Sequence, residues 1–139
     1  MRAKISIAAA LLLAAGCCLS SAAFAAGKYD GSAPLVCAVL VVHECAEWTI
    51  CQPRTAVSAG LPPMIKVDVK AMKIRDLEAG KSPESAIRSV DHANNKMVLN
   101  GGEAGRGWSV LVNEQTGRMS AVVAADEASF VAFGQCALP

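Results

Sequence analysis

Apolar and polar residues alternate in short runs along much of the chain, and turn-forming residues separate the runs. The clearest alternation spans Met64 to Val69, with isoleucine and valines on one side and lysine and aspartate on the other. A period of two is typical of a half-buried strand. Val36 to Val42 is instead continuously apolar and rich in β-branched residues, which predicts a buried strand.

Further strands are predicted between turn signals. They are placed at about Trp48 to Arg54, Lys96 to Asn100, Trp108 to Asn113, Arg118 to Ala124 and Phe130 to Cys136. Asn94-Asn95 and Gly117 indicate tight turns, and Asn100-Gly101-Gly102, with Gly105 and Gly107, predicts a loop. About eight short strands with turns every eight to twelve residues or so indicate an all-β fold, a small antiparallel barrel or sandwich.

The segment from Lys70 to Asp91 has the weakest pattern. Its first part, AMKIRDLEA, fits one or two helical turns or a strand that ends near Arg75. A strand followed by a loop is preferred because strands surround the segment, and any helix is expected within Met72 to Ala79. Ser85 to Val90 is predicted as a short strand or a turn of helix.

Three of the four cysteines beyond the N-terminal segment lie in CAVLVVHECAEWTIC. In a strand, Cys37 and Cys45 would be about 26 Å apart, whereas the Cα atoms of a disulfide lie roughly 4.4 to 6.8 Å apart. Cys45 and Cys51 enclose a length that suits a hairpin, so they are predicted to pair, which leaves Cys37 for Cys136. That bond would join the first strand to the last, as in a closed sheet. The alternative joins Cys37 to Cys51 and Cys45 to Cys136.

Residues 1–25 are typical of an export signal. A short basic head precedes an apolar run from Ile5 to Ala15, and Ala23-Phe24-Ala25 provides the small residues that a signal peptidase requires. Cleavage after Ala25 would leave residues 26–139 as a single β domain. Its even number of cysteines predicts a disulfide-bonded protein of the periplasm or the exterior. LAAGC resembles a lipobox, so a lipoprotein anchored through Cys17 is the alternative.

Charge and hydropathy disfavour two classes of partner. Without Arg2 and Lys4, thirteen basic residues fall to eleven, against twelve acidic ones. No basic stripe with interleaved aromatic residues is present, so no nucleic-acid partner is predicted. The apolar run of the signal is shorter than the roughly 20 residues of a membrane-spanning helix, and no later stretch approaches that length. No membrane span is therefore predicted.

Several short motifs accompany the cysteines: YDGSAPLVC, Glu44-Cys45 with five residues before Cys51, GRGWS, TGRM and FVAFGQC. Together they resemble a widespread family of small exported bacterial proteins of uncharacterised function. The resemblance covers most of the chain after residue 25. It implies an exported, disulfide-bonded protein, and it assigns no activity or binding residue.

A metal site is one candidate chemistry. His43, Glu44 and Cys45, with His92 elsewhere, are of the residue types that bind metal ions. Cys45 is expected in a disulfide, however, and the two histidines match no ligand spacing. These residues are more simply explained as solvated side chains at a strand end and in a turn, and no metal or cofactor is predicted.

A catalytic triad is a second candidate. Asp91-His92 with Ser89 or Ser109 has the residue types, but a triad is defined by geometry. No G-x-S-x-G pattern is present in the sequence. We therefore predict that the protein is not an enzyme.

Arg106-Gly107-Trp108 is the most distinctive aromatic motif. Glycine permits close backbone approach and a guanidinium stacks favourably on an indole, so Trp108 is expected to plug one end of the barrel with Arg106 as a lid. The alternative is that Arg106 and Trp108 form a binding surface.

These features favour a non-catalytic exported binding or interaction module of the cell envelope. Its partner would be an envelope protein or a small ligand, an expectation that rests on analogy of fold. An envelope structural or stress-associated factor without a small ligand is the alternative. A hydrolase or a metal carrier is a third hypothesis with less support.

Overall fold

The computed structural model describes residues 27–78 and 84–139, and the regular secondary structure of this part of the chain is almost entirely β. Its strands are β1 (Leu35–Ala46), β2 (Gln52–Arg54), β3 (Met64–Asp68), β4 (Lys73–Asp76), β5 (Ser85–Ala93), β6 (Lys96–Glu103), β7 (Arg106–Asn113), β8 (Arg118–Ala124) and β9 (Ala128–Ala137). A short 3-10 helix spans Val57–Ala59. The predicted export signal and the lipobox at Cys17 lie outside the described residues.

Eight of the strands close into an antiparallel barrel in the order β1, β3, β4, β5, β6, β7, β8, β9, with β9 pairing back to β1. The length of β1 allows this closure. Along one edge, Leu35 to Ala38 pair with β3 and Val42 to Glu44 pair with the extra strand β2. Along the other edge, β1 pairs with β9 over almost its whole length. The predicted all-β antiparallel fold is confirmed, and it is a barrel.

Both predicted disulfides are present, so the alternative pairing is not adopted. Cys37 and Cys136 occupy directly paired positions on β1 and β9, with their Cα atoms 3.9 Å apart, and this bond closes the seam of the barrel. Cys45 and Cys51 are six positions apart and close the loop between β1 and β2.

A β-bulge in β1 corrects the prediction that Val36 to Val42 is uniformly buried. The register against β9 shifts between Val39 and Val41. Leu40 and Val41 are 68% and 46% exposed, and Val42, only 1% exposed, points inward again. An extra residue in one strand shifts the inward and outward alternation. The apolar run therefore contributes to both faces of the barrel wall.

Two other predicted boundaries are wrong. The predicted loop at Asn100-Gly101-Gly102 is part of β6, which continues to Glu103 before a tight turn at Ala104-Gly105. The predicted return strand from Trp48 begins only at Gln52. Each uncertain segment forms a strand within the described residues: β4 ends at Asp76, and β5 extends past Val90 to Ala93, while residues 79–83 lie outside the described part of the chain.

One end of the barrel is densely packed, and we call it the closed end. The turns between β3 and β4, β5 and β6, and β7 and β8 lie there, together with the segment that precedes β1. Its fully buried side chains include Leu35, Cys37, Val67, Met97, Val112 and Cys136. Tyr29 packs against this core, and its backbone N–H donates to the carbonyl of Glu114 at 2.8 Å.

Candidate functional site

The opposite end of the barrel, which we call the open end, contains a cavity of about 590 Å³. The wall of the cavity is mostly apolar, and it is formed by inward-facing side chains of the strands, among them Val39, Ile65, Ile74, Val110, Met119 and Val123. Val57, Leu61 and the two prolines that precede β3 complete it on one side. Barrels of eight strands are just wide enough to be filled by side chains or to hold one small ligand.

Small side chains at one level of the barrel leave the space for this cavity. Ala121 of β8 is paired with Val110 of β7 and with Ala132 of β9, and all three line the cavity. Two residues further towards the closed end, the inward position of β8 is Met119, which is 3% exposed. The cavity thus begins where alanines replace larger inward side chains.

Trp108 forms part of the cavity wall. Its indole N–H donates a hydrogen bond to the hydroxyl of Ser85 at 2.8 Å, and Ser85 is itself buried. Gly101 is the partner of Trp108 on β6, and a Cβ at that position would collide with the indole ring. Gly101 therefore allows the ring to lie against the backbone of β6, which explains a glycine within a strand.

Arg106 also lines the cavity, two residues before Trp108, but its side chain is exposed. Over the described residues the structure has a single cation–π contact, Lys28 over Tyr29. The expected stacking of Arg106 on the indole is therefore not formed. The two residues of the predicted binding surface do lie on one cavity, Trp108 in its wall and Arg106 at its rim.

Carboxylates dominate the charged groups of the cavity. Asp76, Glu78 and Glu103 line it together with Arg106, and Asp76 accepts a hydrogen bond from the backbone N–H of Glu78 at 2.8 Å. Among the described lining residues, the carboxylates of Glu78 and Glu103 outnumber the one basic group, that of Arg106, which favours neutral or cationic ligands over anions.

A neighbouring carboxylate, that of Glu84, is already neutralised. It forms ion pairs with Lys73 at 2.5 Å and with Arg75 at 2.9 Å. The hydrogen bond from Lys73, assisted by the charge of Arg75, lowers the pKa of Glu84. This carboxylate stays ionised at neutral pH, and its charge is balanced locally rather than directed at the cavity.

The residues of the hypothetical metal site are not brought together. Cys45 is in a disulfide, and His92 instead contacts Glu114, with Nδ1 and Oε1 2.6 Å apart. Within residues 27–78 and 84–139, no group of three or more histidine, cysteine, aspartate or glutamate side chains could hold a metal ion.

Two residues of the hypothetical triad, His92 and Ser89, are engaged elsewhere. The partner of His92 is Glu114, a mostly buried residue at the closed end that the sequence pattern does not single out. The hydroxyl of Ser89 accepts a hydrogen bond from Asn100 at 3.1 Å. Neither contact forms the chain of hydrogen bonds from nucleophile to base to carboxylate that a triad requires.

Sequence reasoning did not predict the cavity or the segment that closes its side. Residues 55–63 have the composition of a surface loop, yet Ala56 and Ala59 are buried against Val42 and Ala132. The apolar residues of TAVSAGLPP were the available signal, but their spacing matches neither strand nor helix.

Among the described residues, no helix is long and apolar enough to cross a membrane. A scan against protein-family models and searches of curated proteins and of solved structures found no match for this chain. The resemblance to small exported bacterial proteins therefore stays a prediction.

Proposed function

We propose that this protein is a non-catalytic exported binding protein that holds a small apolar ligand in the cavity at the open end. The observation that carries the proposal is the cavity itself, about 590 Å³ with a mainly apolar wall. Ligand sites in proteins typically have volumes of about 300 to 1,000 Å³, with apolar linings and a few polar groups. The two disulfides are compatible with export to the periplasm or beyond.

The lining also indicates the ligand class. Trp108 offers an aromatic surface, and among the described lining residues Glu78 and Glu103 contribute two carboxylates and Arg106 one positive charge. A neutral ligand, or an amphiphile with a cationic group, would meet no repulsion there. An anionic amphiphile would have to bring its charge close to the carboxylates of Glu78 and Glu103.

Two fluorescent probes that share one skeleton test this proposal. N-phenyl-1-naphthylamine is neutral, and 8-anilino-1-naphthalenesulfonate adds a sulfonate to the same rings. We expect the neutral probe to bind with micromolar affinity and the sulfonate at least about tenfold more weakly, a difference of about 1.4 kcal/mol. Fluorescence titrations of both probes at neutral pH and low salt would measure the two affinities.

A pair of variants on one strand locates the bound probe. Ala121→Phe would fill the cavity, because Ala121 lines it, and it should abolish binding of the neutral probe. The matched control is Val122→Phe, which introduces the same side chain on the outer face, where Val122 is 45% exposed. Equal binding by both folded variants would place the probe outside the cavity. Failure of the parent protein to bind the neutral probe would favour the structural factor without a ligand.

A further inference from the structure

The loop between β1 and β2 presents two large apolar side chains to solvent. Trp48 is 93% exposed and Ile50 is 82% exposed. The Cys45–Cys51 disulfide closes this loop at its base, where Glu44 and Gln52 are paired across the two strands. A loop fixed in this way loses little conformational freedom when a partner binds to its side chains.

Trp48 also has an unusual backbone conformation. Its φ angle is 63°, in the left-handed region. Such conformations typically cost a residue other than glycine on the order of 1 kcal/mol or more, and they concentrate at functional segments. The loop therefore holds a large indole outward in a conformation that most residues avoid.

The Trp48 loop lies at the open end of the barrel. Ala46, the last residue of β1, is paired with Ala128, the first residue of β9. The turn between β8 and β9 is thus beside the loop. The antiparallel order places the turn between β6 and β7 at the same end, because Gly107 is paired with Ala124 at the end of β8.

Among the described residues, the charges at this end are mostly negative. Five of its carboxylates, counted over the described residues, are in none of the ion pairs described above: Glu47, Glu78, Glu103, Asp126 and Glu127. Arg106 is the basic residue on the β6–β7 turn, and Arg54 is paired with Glu44 at 2.7 Å. Residues 26–139 contain eleven basic and twelve acidic side chains in all, so the acidity is concentrated at this end.

We propose that the open end docks on a basic protein, with the indole of Trp48 inserted into an apolar socket on that partner. Tryptophan is among the residues most enriched at the centres of protein interfaces. The acidic side chains at the open end would steer association towards a positively charged surface, and they would repel an anionic lipid surface. This interaction is additional to the proposed ligand and does not depend on it.

Affinity capture tests the docking. The protein would be immobilised through its C-terminus, which follows β9 at the closed end, so that the open end stays free. Extracts of the envelope and the culture medium of the producing cells would be passed over the parent protein, Trp48→Ala and Leu40→Ala. Leu40 is the matched control, because it is a large apolar side chain that is 68% exposed on the barrel wall away from the loop. Enriched proteins would be identified by mass spectrometry and purified for calorimetry.

We expect the parent and Leu40→Ala to capture the same protein, with an isoelectric point above about 8, as an acidic surface would select. Trp48→Ala should weaken its affinity by about 30-fold or more, the scale of an interface hot spot. Combining Glu47→Lys, Asp126→Lys and Glu127→Lys should weaken it further and reduce its salt dependence.

Several results would overturn the proposal. One is that the parent captures no protein beyond what Trp48→Ala captures. Others are that the captured partner is acidic, or that it binds the parent and Trp48→Ala with equal affinity. Sedimentation of the parent, but not Trp48→Ala, with phosphatidylcholine vesicles would make the loop a membrane anchor instead. Binding of the neutral naphthylamine probe by Trp48→Ala should equal that of the parent, so the docking and the ligand proposal fail independently.

Discussion

Replacing Cys37 and Cys136 together with alanine should lower the free energy of unfolding by about 4.7 kcal/mol, whereas replacing Cys45 and Cys51 should lower it by about 2.4 kcal/mol. The sequence separations of the two bonds are 99 and 6. In the chain-entropy model, a bond that closes a longer loop removes more freedom from the unfolded chain. Urea unfolding of the two double variants, compared with the oxidised parent, would measure both losses.

The parent protein after reduction is the control for this comparison. Cys37 and Cys136 are buried, so their truncation removes packed atoms as well as the covalent bond. Reduction of the parent breaks the bonds and leaves the sulfur atoms in place. Equal losses in the two double variants would contradict the loop-length explanation and would indicate that strain or packing dominates.

Trp108→Ala should cost about 3 to 5 kcal/mol of unfolding free energy, the range for large aromatic truncations in cores. The indole packs against the buried cluster and lies over Gly101, and its loss would leave the hydroxyl of Ser85 without its donor. Trp108→Phe should cost less, about 1 kcal/mol for the lost hydrogen bond plus a small packing loss. Denaturant midpoints of the two variants would give these values.

Arg106→Ala is the matched control on the same strand. Its side chain is exposed, and exposed substitutions usually change stability by no more than about 0.5 kcal/mol. If Trp108→Ala unfolds at the same denaturant concentration as the parent, the indole does not stabilise the barrel. Trp108 would then be assigned to a binding surface, and its loss should abolish binding of the neutral probe.

The strand pattern and the cysteine spacing predicted the architecture. Alternation identified Met64 to Val69 as a strand because one face of β3 packs on the core, where Ile65 and Val67 are buried. The seam between β1 and β9 followed from assigning Cys37 to Cys136. The alternation is a local signal and the cysteine pairing is a covalent one. Neither requires knowledge of how distant strands align.

The cavity could not be predicted because it depends on register. Only the pairing of β7, β8 and β9 places Ala121 and Ala132 at one level of the barrel, and no sequence spacing shows this. Gly101 was wrongly predicted as part of a loop, because glycine is typical of turns. It lies within β6, where the adjacent indole of Trp108 leaves no room for a larger residue. Trp48 fits a strand by composition, whereas the short disulfide-closed loop keeps it outside the sheet.

The bond between Cys37 and Cys136 also determines how the chain would respond to mechanical load. A force applied to the chain on either side of Cys37 and Cys136 would pass through this bond, so it would stretch only the segments outside the covalent ring. Reduction would release the ring, whose 99-residue separation corresponds to an extended length on the order of 330 to 350 Å. Single-molecule pulling should therefore show a long extension step only under reducing conditions. With the bond intact, the part of the chain between Cys37 and Cys136 would not lengthen under load.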